Sequence, residues 1–219
     1  MVKTTITVLV ALSAALAMAT AVAFPDQRGV FPAAPVSELS RMDPPPDMGS
    51  SLIEASDFTL LDQDGNPVSL SNYCGHVVVL EWVNPQCPFV LRHYREGTMT
   101  DLACKYWADG VVWLSINSTK TDDVTTNKKW AEQNNLAYPV LDDHRSAVAR
   151  AYGAKSTPHM FIIDKDGWIV YQGAIDDDPK GNKADHVNYV DKALKEVVDG
   201  RAVSTPVTTP YGCTVKYGE

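Results

Sequence analysis

The segment 77–90 constrains the fold of this chain more than any other. It begins as an apolar stretch rich in β-branched residues, 77–83, and passes through a short turn to Cys87 and Pro88. Such a stretch predicts a strand buried on both faces of a sheet, as in α/β folds. Pro88 suits the first turn of a helix, where the N–H that proline lacks would have no helical partner. The segment therefore predicts a buried strand, a turn and a helix that starts at Cys87.

The same context predicts that Cys87 is a reactive thiol. At a helix start, its sulfur lies among backbone N–H groups that have no partner within the helix. These groups stabilise negative charge and lower the pKa of a thiol. A buried structural cysteine is the alternative interpretation.

Residues 1–23 have the pattern of a secretory signal peptide. Lys3 is followed by the apolar stretch 6–22, and the segment ends in small residues around the expected cleavage site after Ala23. A membrane anchor is the alternative, but the apolar core is short for a span and no positively charged segment follows. We therefore expect a secreted or periplasmic protein without a membrane span after cleavage, in a compartment where cysteines can form disulfides.

The charge balance argues against two classes of partner. The chain has 19 Lys and Arg residues against 27 Asp and Glu residues, a net charge of −8. Such an excess of negative charge disfavours nucleic acid and anionic membranes. We predict no resident cofactor and no metal.

The chain divides into four predicted regions. The signal peptide, 1–23, is followed by a proline-rich mobile arm, 24–50. Strand and helix patterns then alternate through an α/β domain, 51–200, which a tail, 201–219, follows. The predicted strands are 58–61, 67–70, 77–83, 111–117, 138–141, 160–163 and 168–171, and the predicted helices are 87–107, 122–134, 144–152 and 186–198.

The order of elements resembles the thioredoxin superfamily. The resemblance rests on the strand, turn, Cys-Pro and helix of 77–90, on Ser156-Thr157-Pro158 before a strand, and on the hairpin turns of Asp-x-Asp-Gly sequence. Over about residues 50–200 the chain is most similar to the redoxin branch, which includes the alkyl hydroperoxide reductase/thiol-specific antioxidant family and peroxiredoxins. This resemblance implies a thioredoxin-like three-layer fold with a mixed central sheet, helices on both faces and an N-terminal β-hairpin.

The resemblance also assigns roles to individual residues. Cys87 matches the nucleophile, and Pro158 matches a cis-proline beside it. Thr157 matches the backbone contact for an extended substrate. Glu81 matches a buried acid beneath the active site, where desolvation raises the pKa of a carboxyl group and makes it a candidate proton acceptor. A structural pairing of Glu81 with a neighbouring Lys or Tyr is the alternative.

Several positions depart from the family pattern. Val90 stands where thioredoxins have a second cysteine, and Asn84 stands where peroxiredoxins have Thr or Ser. Arg92 and His93 follow Cys87 in the predicted helix and offer positive charge to a thiolate. Charged residues on an exposed helix are more often solvated, and this is the interpretation we favour for both.

Without a cysteine at position 90, a second thiol must come from elsewhere. Cys213, in the tail, is our candidate resolving cysteine; a different pairing or a free thiol in a mobile tail is the alternative. Cys74 and Cys104 are expected at the end of the sheet remote from Cys87, where they are candidates for a structural disulfide or for free thiols.

The predicted activity is that of a thiol oxidoreductase with a single nucleophilic cysteine. Its expected substrate is a peroxide or a protein disulfide, and its cycle requires an external thiol reductant. One alternative function is a copper or other metal chaperone that uses Cys87, His93 and His159, because Cys and His suit such metals. Another is a non-catalytic binding domain.

Overall fold

The computed structural model describes residues 53–217, which form a mixed β-sheet with helices on both faces. The predicted signal peptide, 1–23, and the predicted proline-rich arm, 24–50, lie outside the described residues. Across 53–217, none of the helices combines the length and the apolar character that a membrane span requires.

The strands are β1 (Ile53–Glu54), β2 (Thr59–Leu61), β3 (Pro67–Ser69), β4 (Val78–Val83), β5 (Val112–Asn117), β6 (Val140–Asp142), β7 (Ser156–Thr157), β8 (His159–Ile163), β9 (Trp168–Gly173) and β10 (Cys213–Thr214). The helices are α1 (Pro88–Arg95), α2 (Thr98–Trp107), α3 (Val124–Gln133), α4 (Ala147–Tyr152) and α5 (Tyr189–Val198), with a 3₁₀ turn at Leu70–Tyr73.

Strand β4 lies in the middle of the large sheet, whose order is β1-β9-β8-β4-β5-β6-β2-β3. It runs parallel to β5 and antiparallel to β8, and all its residues are buried. The predicted hairpins are confirmed as β2–β3 and β8–β9. Strands β7 and β10 pair separately as a two-stranded sheet.

Two apolar cores lie on opposite faces of the sheet. One contains residues from α1, α2, α3 and α5, and the other contains residues from α4 and the β2–β3 hairpin. Because side chains alternate along a strand, Val79 and Val83 face the first core while Leu80 and Trp82 face the second. The predicted three-layer α/β fold is confirmed, with most of the helices on the face that also holds Cys87.

The prediction of one helix from Cys87 to Trp107 is wrong. Helix α1 ends at Arg95, and α2 begins at Thr98 after Gly97, whose φ of 74° lies in the left-handed region. Glycine adopts this conformation without the steric cost that a Cβ would add, so it ends one helix and starts another in a new direction.

Helix α5 also starts later than predicted, at Tyr189 rather than His186. The side chain of Asn188 accepts a hydrogen bond from the backbone N–H of Asp191 at 2.8 Å. This N-cap fixes the helix start, because it satisfies one of the N–H groups that have no helical partner.

The tail folds back over the domain as far as it is described. Val207 bridges to Gln172 of β9, and the Thr208 hydroxyl accepts a hydrogen bond from the backbone N–H of Ala174 at 2.9 Å. Farther along, β10 pairs with β7, and Val215 is buried in the second core. These contacts bring the C-terminal cysteine to the carboxyl edge of β4.

Candidate functional site

Cys87 lies between the carboxyl end of β4 and the start of α1. It is the N-cap residue of α1, and Pro88 is the first residue of the helix. Asn84 shapes the preceding turn: its Oδ1 accepts from the N–H of Gln86 at 2.7 Å, and its carbonyl accepts from the N–H of Cys87 at 2.9 Å. The local sequence therefore holds the thiol at a helix N-terminus.

Thr157 and Pro158 lie directly against this thiol. The Sγ of Cys87 donates a hydrogen bond to the carbonyl oxygen of Thr157 at 3.0 Å. The peptide bond between Thr157 and Pro158 is cis. Ser156 supports the turn, because its hydroxyl donates to the carbonyl oxygen of Pro158 at 3.0 Å.

Cys213 reaches the same place from the C-terminal tail. In the antiparallel pair of β7 and β10, Cys213 lies opposite Thr157. The adjacent Gly212, with φ of 132°, lies so close that a Cβ there would be 2.1 Å from the Thr157 carbonyl oxygen. The Cys213 side chain packs against the core that contains Cys87. Cys87 and Cys213, which are distant in sequence, thus both lie next to the backbone of Thr157.

The two thiols have opposite pKa shifts. Burial disfavours the charged form of Cys87, but hydrogen bonds from the side chains of Cys213 and Thr157 and from the backbone N–H groups of Val90 and Cys213 outweigh it and lower its pKa. Burial, together with the hydrogen bond to Cys87 and the charge of Cys87, raises the pKa of Cys213 to about 11. Of the two thiols, Cys87 therefore loses its proton more readily than Cys213.

Glu81 is a fully buried acid on the same face of β4. Its Oε2 accepts hydrogen bonds from Trp113 Nε1 at 2.8 Å, Tyr94 Oη at 3.1 Å and Ser115 Oγ at 3.1 Å. Within the described part of the chain, Oε1 accepts no hydrogen bond. Burial raises the pKa of Glu81 to about 7, although these three hydrogen bonds oppose the shift. Glu81 thus exchanges a proton near neutral pH. Its hydrogen bond with Tyr94 also matches the alternative interpretation, in which Glu81 pairs with a neighbouring tyrosine for structural reasons.

The expectation that Arg92 and His93 are solvated is wrong. His93 is buried, and its Nε2 lies 2.9 Å from the hydroxyl of Tyr211. Arg92 Nη2 donates to the Tyr211 hydroxyl at 3.2 Å and to the carbonyl oxygen of Asp178 at 2.9 Å. The Tyr211 hydroxyl also donates to Asp176. We call these residues the Tyr211 cluster: Arg92, His93, Asp176, Asp178 and Tyr211.

The Tyr211 cluster was not predicted from the sequence, because its members come from α1, the loop after β9 and the tail. Burial lowers the pKa of His93 to about 4, and the charge of Arg92 adds to this effect while Asp176 opposes it. His93 is therefore neutral near pH 7. Its function in the fold is to hold Tyr211, two residues before Cys213, against the first helix.

The residues of the alternative metal site do not converge. His159 packs against Phe161 in the second core, on the face of the sheet opposite to Cys87, and its Nδ1 accepts from the N–H of Lys155 at 3.1 Å. No group of three or more His, Cys, Asp or Glu side chains able to hold a metal occurs within residues 53–217. The geometry gives no support to metal delivery.

Cys74 and Cys104 are both exposed, free thiols in the structure. Cys74 follows the 3₁₀ turn before β4, and Cys104 lies in α2. The structural disulfide that we considered between them is thus not formed.

The chain is similar to known proteins in sequence and in structure. A model of the AhpC/TSA family matches residues 53–172. A thiol-disulfide oxidoreductase named ResA, from Bacillus thuringiensis subsp. konkukian, is 28% identical over 119 residues. The aligned segment covers 54% of this chain and 66% of that relative.

Two solved structures extend the comparison. An uncharacterized conserved protein from Geobacillus kaustophilus is 30% identical, with a TM-score of 0.70, and the match covers 78% of this chain and 94% of that one. A putative thiol:disulfide interchange protein DsbE from Chlorobium tepidum is 27% identical, with a TM-score of 0.50 and coverage of 56% and 84%. These likenesses confirm the thioredoxin-like fold.

Proposed function

This chain belongs to the AhpC/TSA family, and on that premise we propose that it is a thiol oxidoreductase. In this proposal Cys87 is the nucleophile and Cys213 is the resolving cysteine. One observation carries the proposal: Cys213 lies opposite Thr157 in the β7–β10 pair, while the carbonyl of the same Thr157 accepts a hydrogen bond from the Cys87 thiol. The opposite pKa shifts of the two thiols support this division of roles.

The first candidate substrate is a peroxide. The Cys87 thiolate attacks one peroxide oxygen, the O–O bond breaks, and the leaving alkoxide or hydroxide takes up a proton. Cys87 is then a sulfenic acid, which the sulfur of Cys213 attacks with release of water and formation of a Cys87–Cys213 disulfide. The first step transfers two electrons from the Cys87 sulfur to the peroxide, and the second divides that oxidation between the two sulfurs of the disulfide.

The second candidate substrate is a protein disulfide. Cys87 attacks one sulfur of the disulfide and forms a mixed disulfide, and the other sulfur leaves as a thiolate. Attack by Cys213 on Cys87 then releases the substrate as a thiol and leaves the same Cys87–Cys213 disulfide. For both substrates, an external thiol reductant returns the pair to its dithiol form.

Glu81, Thr157 and Pro158 have supporting roles in this proposal. Glu81 accepts and returns the proton of the reacting thiols, since its pKa of about 7 suits proton exchange at neutral pH. The Thr157 carbonyl orients the Cys87 thiol, and Pro158 holds Thr157 in place beside it. The similarity to a ResA and to a putative DsbE favours a disulfide substrate, and the family match alone leaves peroxide equally open.

We also propose that the protein acts outside the cytoplasm. The support is the signal-peptide pattern of residues 1–23, together with four cysteines suited to an oxidising compartment.

The test compares the parent protein with Cys87→Ser and Cys213→Ser in a peroxidase assay and in a disulfide-reduction assay. We expect Cys87→Ser to lose at least about 100-fold in activity, because no other group replaces the nucleophile. Cys213→Ser should complete one half-reaction and stop, with a trapped sulfenic acid or mixed disulfide on Cys87 in peptide mass spectra. Cys104→Ser is the matched control and should retain activity.

Two outcomes would contradict the proposal. Equal activity of Cys87→Ser and the parent removes Cys87 as nucleophile. Repeated turnover by Cys213→Ser at the parent rate removes the resolving role.

A further inference from the structure

The strand β7 has one strand partner within residues 53–217, and that partner is the tail strand β10. The backbone edge that β10 covers belongs to Ser156 and Thr157. An uncovered strand edge is a template on which another extended chain pairs through backbone hydrogen bonds. Without β10, this edge would open directly beside the Cys87 sulfur.

The register of the pair decides what lies against Cys87. An extended segment that pairs antiparallel with β7 places one residue opposite Thr157, and in this structure that residue is Cys213. The residue before it, Gly212, lies against the Thr157 carbonyl with no room for a Cβ. The tail thus presents a cysteine to Cys87 as a docked substrate peptide would.

The tail is fastened on both sides of Cys213. On one side, the ring of Tyr211 packs against that of Phe89 in a tilted arrangement, with ring centroids 5.9 Å apart, and its hydroxyl hydrogen-bonds within the Tyr211 cluster. On the other side, the N–H of Val215 donates to the carbonyl of Lys155 at 3.2 Å, and the side chain is buried. With the tail in place, Cys87 is only 1% exposed.

We propose that β10 is a tethered pseudosubstrate, which occupies the edge of β7 where an extended peptide containing a disulfide docks. This proposal rests on the proposed thiol chemistry and on the extended-substrate contact that the resemblance assigns to Thr157. It adds that β10 holds this edge, so that an extended, cysteine-containing segment pairs with Ser156 and Thr157 only when the tail is displaced. In the reaction, Cys87 forms a bond to the peptide sulfur opposite Thr157, and the second sulfur of that disulfide leaves as a thiolate and takes up a proton. The peptide disulfide is the oxidant.

The test uses proteins in which Cys87 is the one remaining thiol, obtained with Cys74→Ser, Cys104→Ser and Cys213→Ser. In this background, Gly212→Val prevents docking of the tail, because its Cβ collides with the Thr157 carbonyl. A shortened chain that ends at residue 210 lacks β10 and so exposes the edge of β7 without the Gly212 substitution. Thr209→Val is the matched control, since it adds a valine at an exposed position of the same tail.

Three probes distinguish the general accessibility of Cys87 from the docking of a peptide on the edge of β7. The first is a peptide with the sequence of residues 209–216, its cysteine in a mixed disulfide with a chromogenic aromatic thiol. The second has the same residues in scrambled order around the same mixed disulfide. The third is a small aromatic disulfide, which reports whether Cys87 reacts at all. Release of the chromogenic thiol gives the second-order rate constant with each protein.

We expect Gly212→Val and the shortened chain to react with the tail peptide roughly tenfold faster than the parent background, the order of effect that loss of one or two net hydrogen bonds produces. The scrambled peptide should gain less, and Thr209→Val should match the parent. If both opened proteins react equally with the two peptides while the small disulfide still reacts, the pseudosubstrate is overturned and the thiol chemistry stands. If the small disulfide fails to react with Cys87 in every protein, the proposed function falls as well.

Discussion

The burial of the Glu81 side chain in the folded protein is energetically costly. It is fully buried in β4, and its Oε2 receives the hydrogen bonds of three neighbouring side chains. A carboxylate held in this way is costly because water no longer solvates it. The cost is tolerated where the proton of that group is used, which fits the proposed role of Glu81 as a proton acceptor for the two thiols.

The cost of Glu81 should appear in the pH dependence of stability. Its folded-state pKa of about 7 lies above the ordinary 4.5, so the folded protein retains a proton that the unfolded chain loses between these values. Stability therefore falls as pH rises through this window. We expect Glu81 to lower the free energy of unfolding by about 2 kcal/mol between pH 5 and pH 7.5.

Urea denaturation of the parent and of Glu81→Gln at both pH values measures this contribution. Glutamine does not titrate, so the difference between the two pH values should shrink by the amount given above. The exposed Glu132, changed to Gln, is the control and should keep the parent's pH dependence. An unaltered dependence in Glu81→Gln would show that Glu81 does not titrate in this range.

At the scale of elements, the Tyr211 cluster joins the tail to α1. Removing the Tyr211 hydroxyl with Tyr211→Phe takes away its contacts with Asp176, His93 and Arg92 and leaves Asp176 buried with one hydrogen-bond donor fewer. Loss of such a partner costs about 1–3 kcal/mol. We expect the tail to open more often while the sheet stays intact.

Hydrogen exchange followed by mass spectrometry checks this expectation. The backbone amides of the tail around Val215 should exchange faster in Tyr211→Phe, whereas those of β4 should not change. Tyr189→Phe removes a hydroxyl from the start of α5 and is the control. Protection of the tail equal to that of the parent would mean that β10 is held by the strand pair alone.

The sequence was most informative where the structure is local. The buried strand β4, both hairpins and the helix start at Cys87 follow from apolar patterns and from Pro88 and the Asp-x-Asp-Gly turns. The break at Gly97 escaped prediction because apolar residues continue into α2 with a helical spacing. A glycine inside such a pattern does not by itself reveal its positive φ.

The parts of the site that depend on distant residues were harder to predict. The burial of His93 depends on Tyr211, which lies far along the chain, and no pattern in α1 records that partner. The sequence analysis proposed Cys213 in the tail as the resolving cysteine, but the register of the tail against Thr157 depends on Gly212 and on contacts on both sides of Cys213. Such non-local pairing is weakly specified by sequence pattern alone.

At the scale of the whole molecule, the proposed compartment has a direct test. The full chain, expressed in a Gram-negative host, should appear in the periplasmic fraction, and intact mass should show a mature protein that starts at Phe24. A signal peptide with a bulky residue at the cleavage position is processed poorly. Ala23→Phe should therefore accumulate with residues 1–23 still attached.

Tyr217→Phe, a change at the opposite end of the chain, is the matched control for export and should be processed like the parent. A parent protein that stays in the cytoplasm with Met1 in place would contradict the proposed location. The activity assays do not depend on this result, since the described fold lies wholly outside residues 1–23.

The burial of Cys87 beneath β10 has a consequence for the lifetime of the protein under oxidative stress. A sulfenic acid that remains open to solvent is oxidised further to sulfinic and sulfonic acids, and these forms are lost to the cycle. Under the proposed chemistry, the oxidised Cys87 instead lies next to Cys213, because the tail strand holds that thiol opposite Thr157. The strand pair that restricts entry to the site thus also protects its sulfur from irreversible damage.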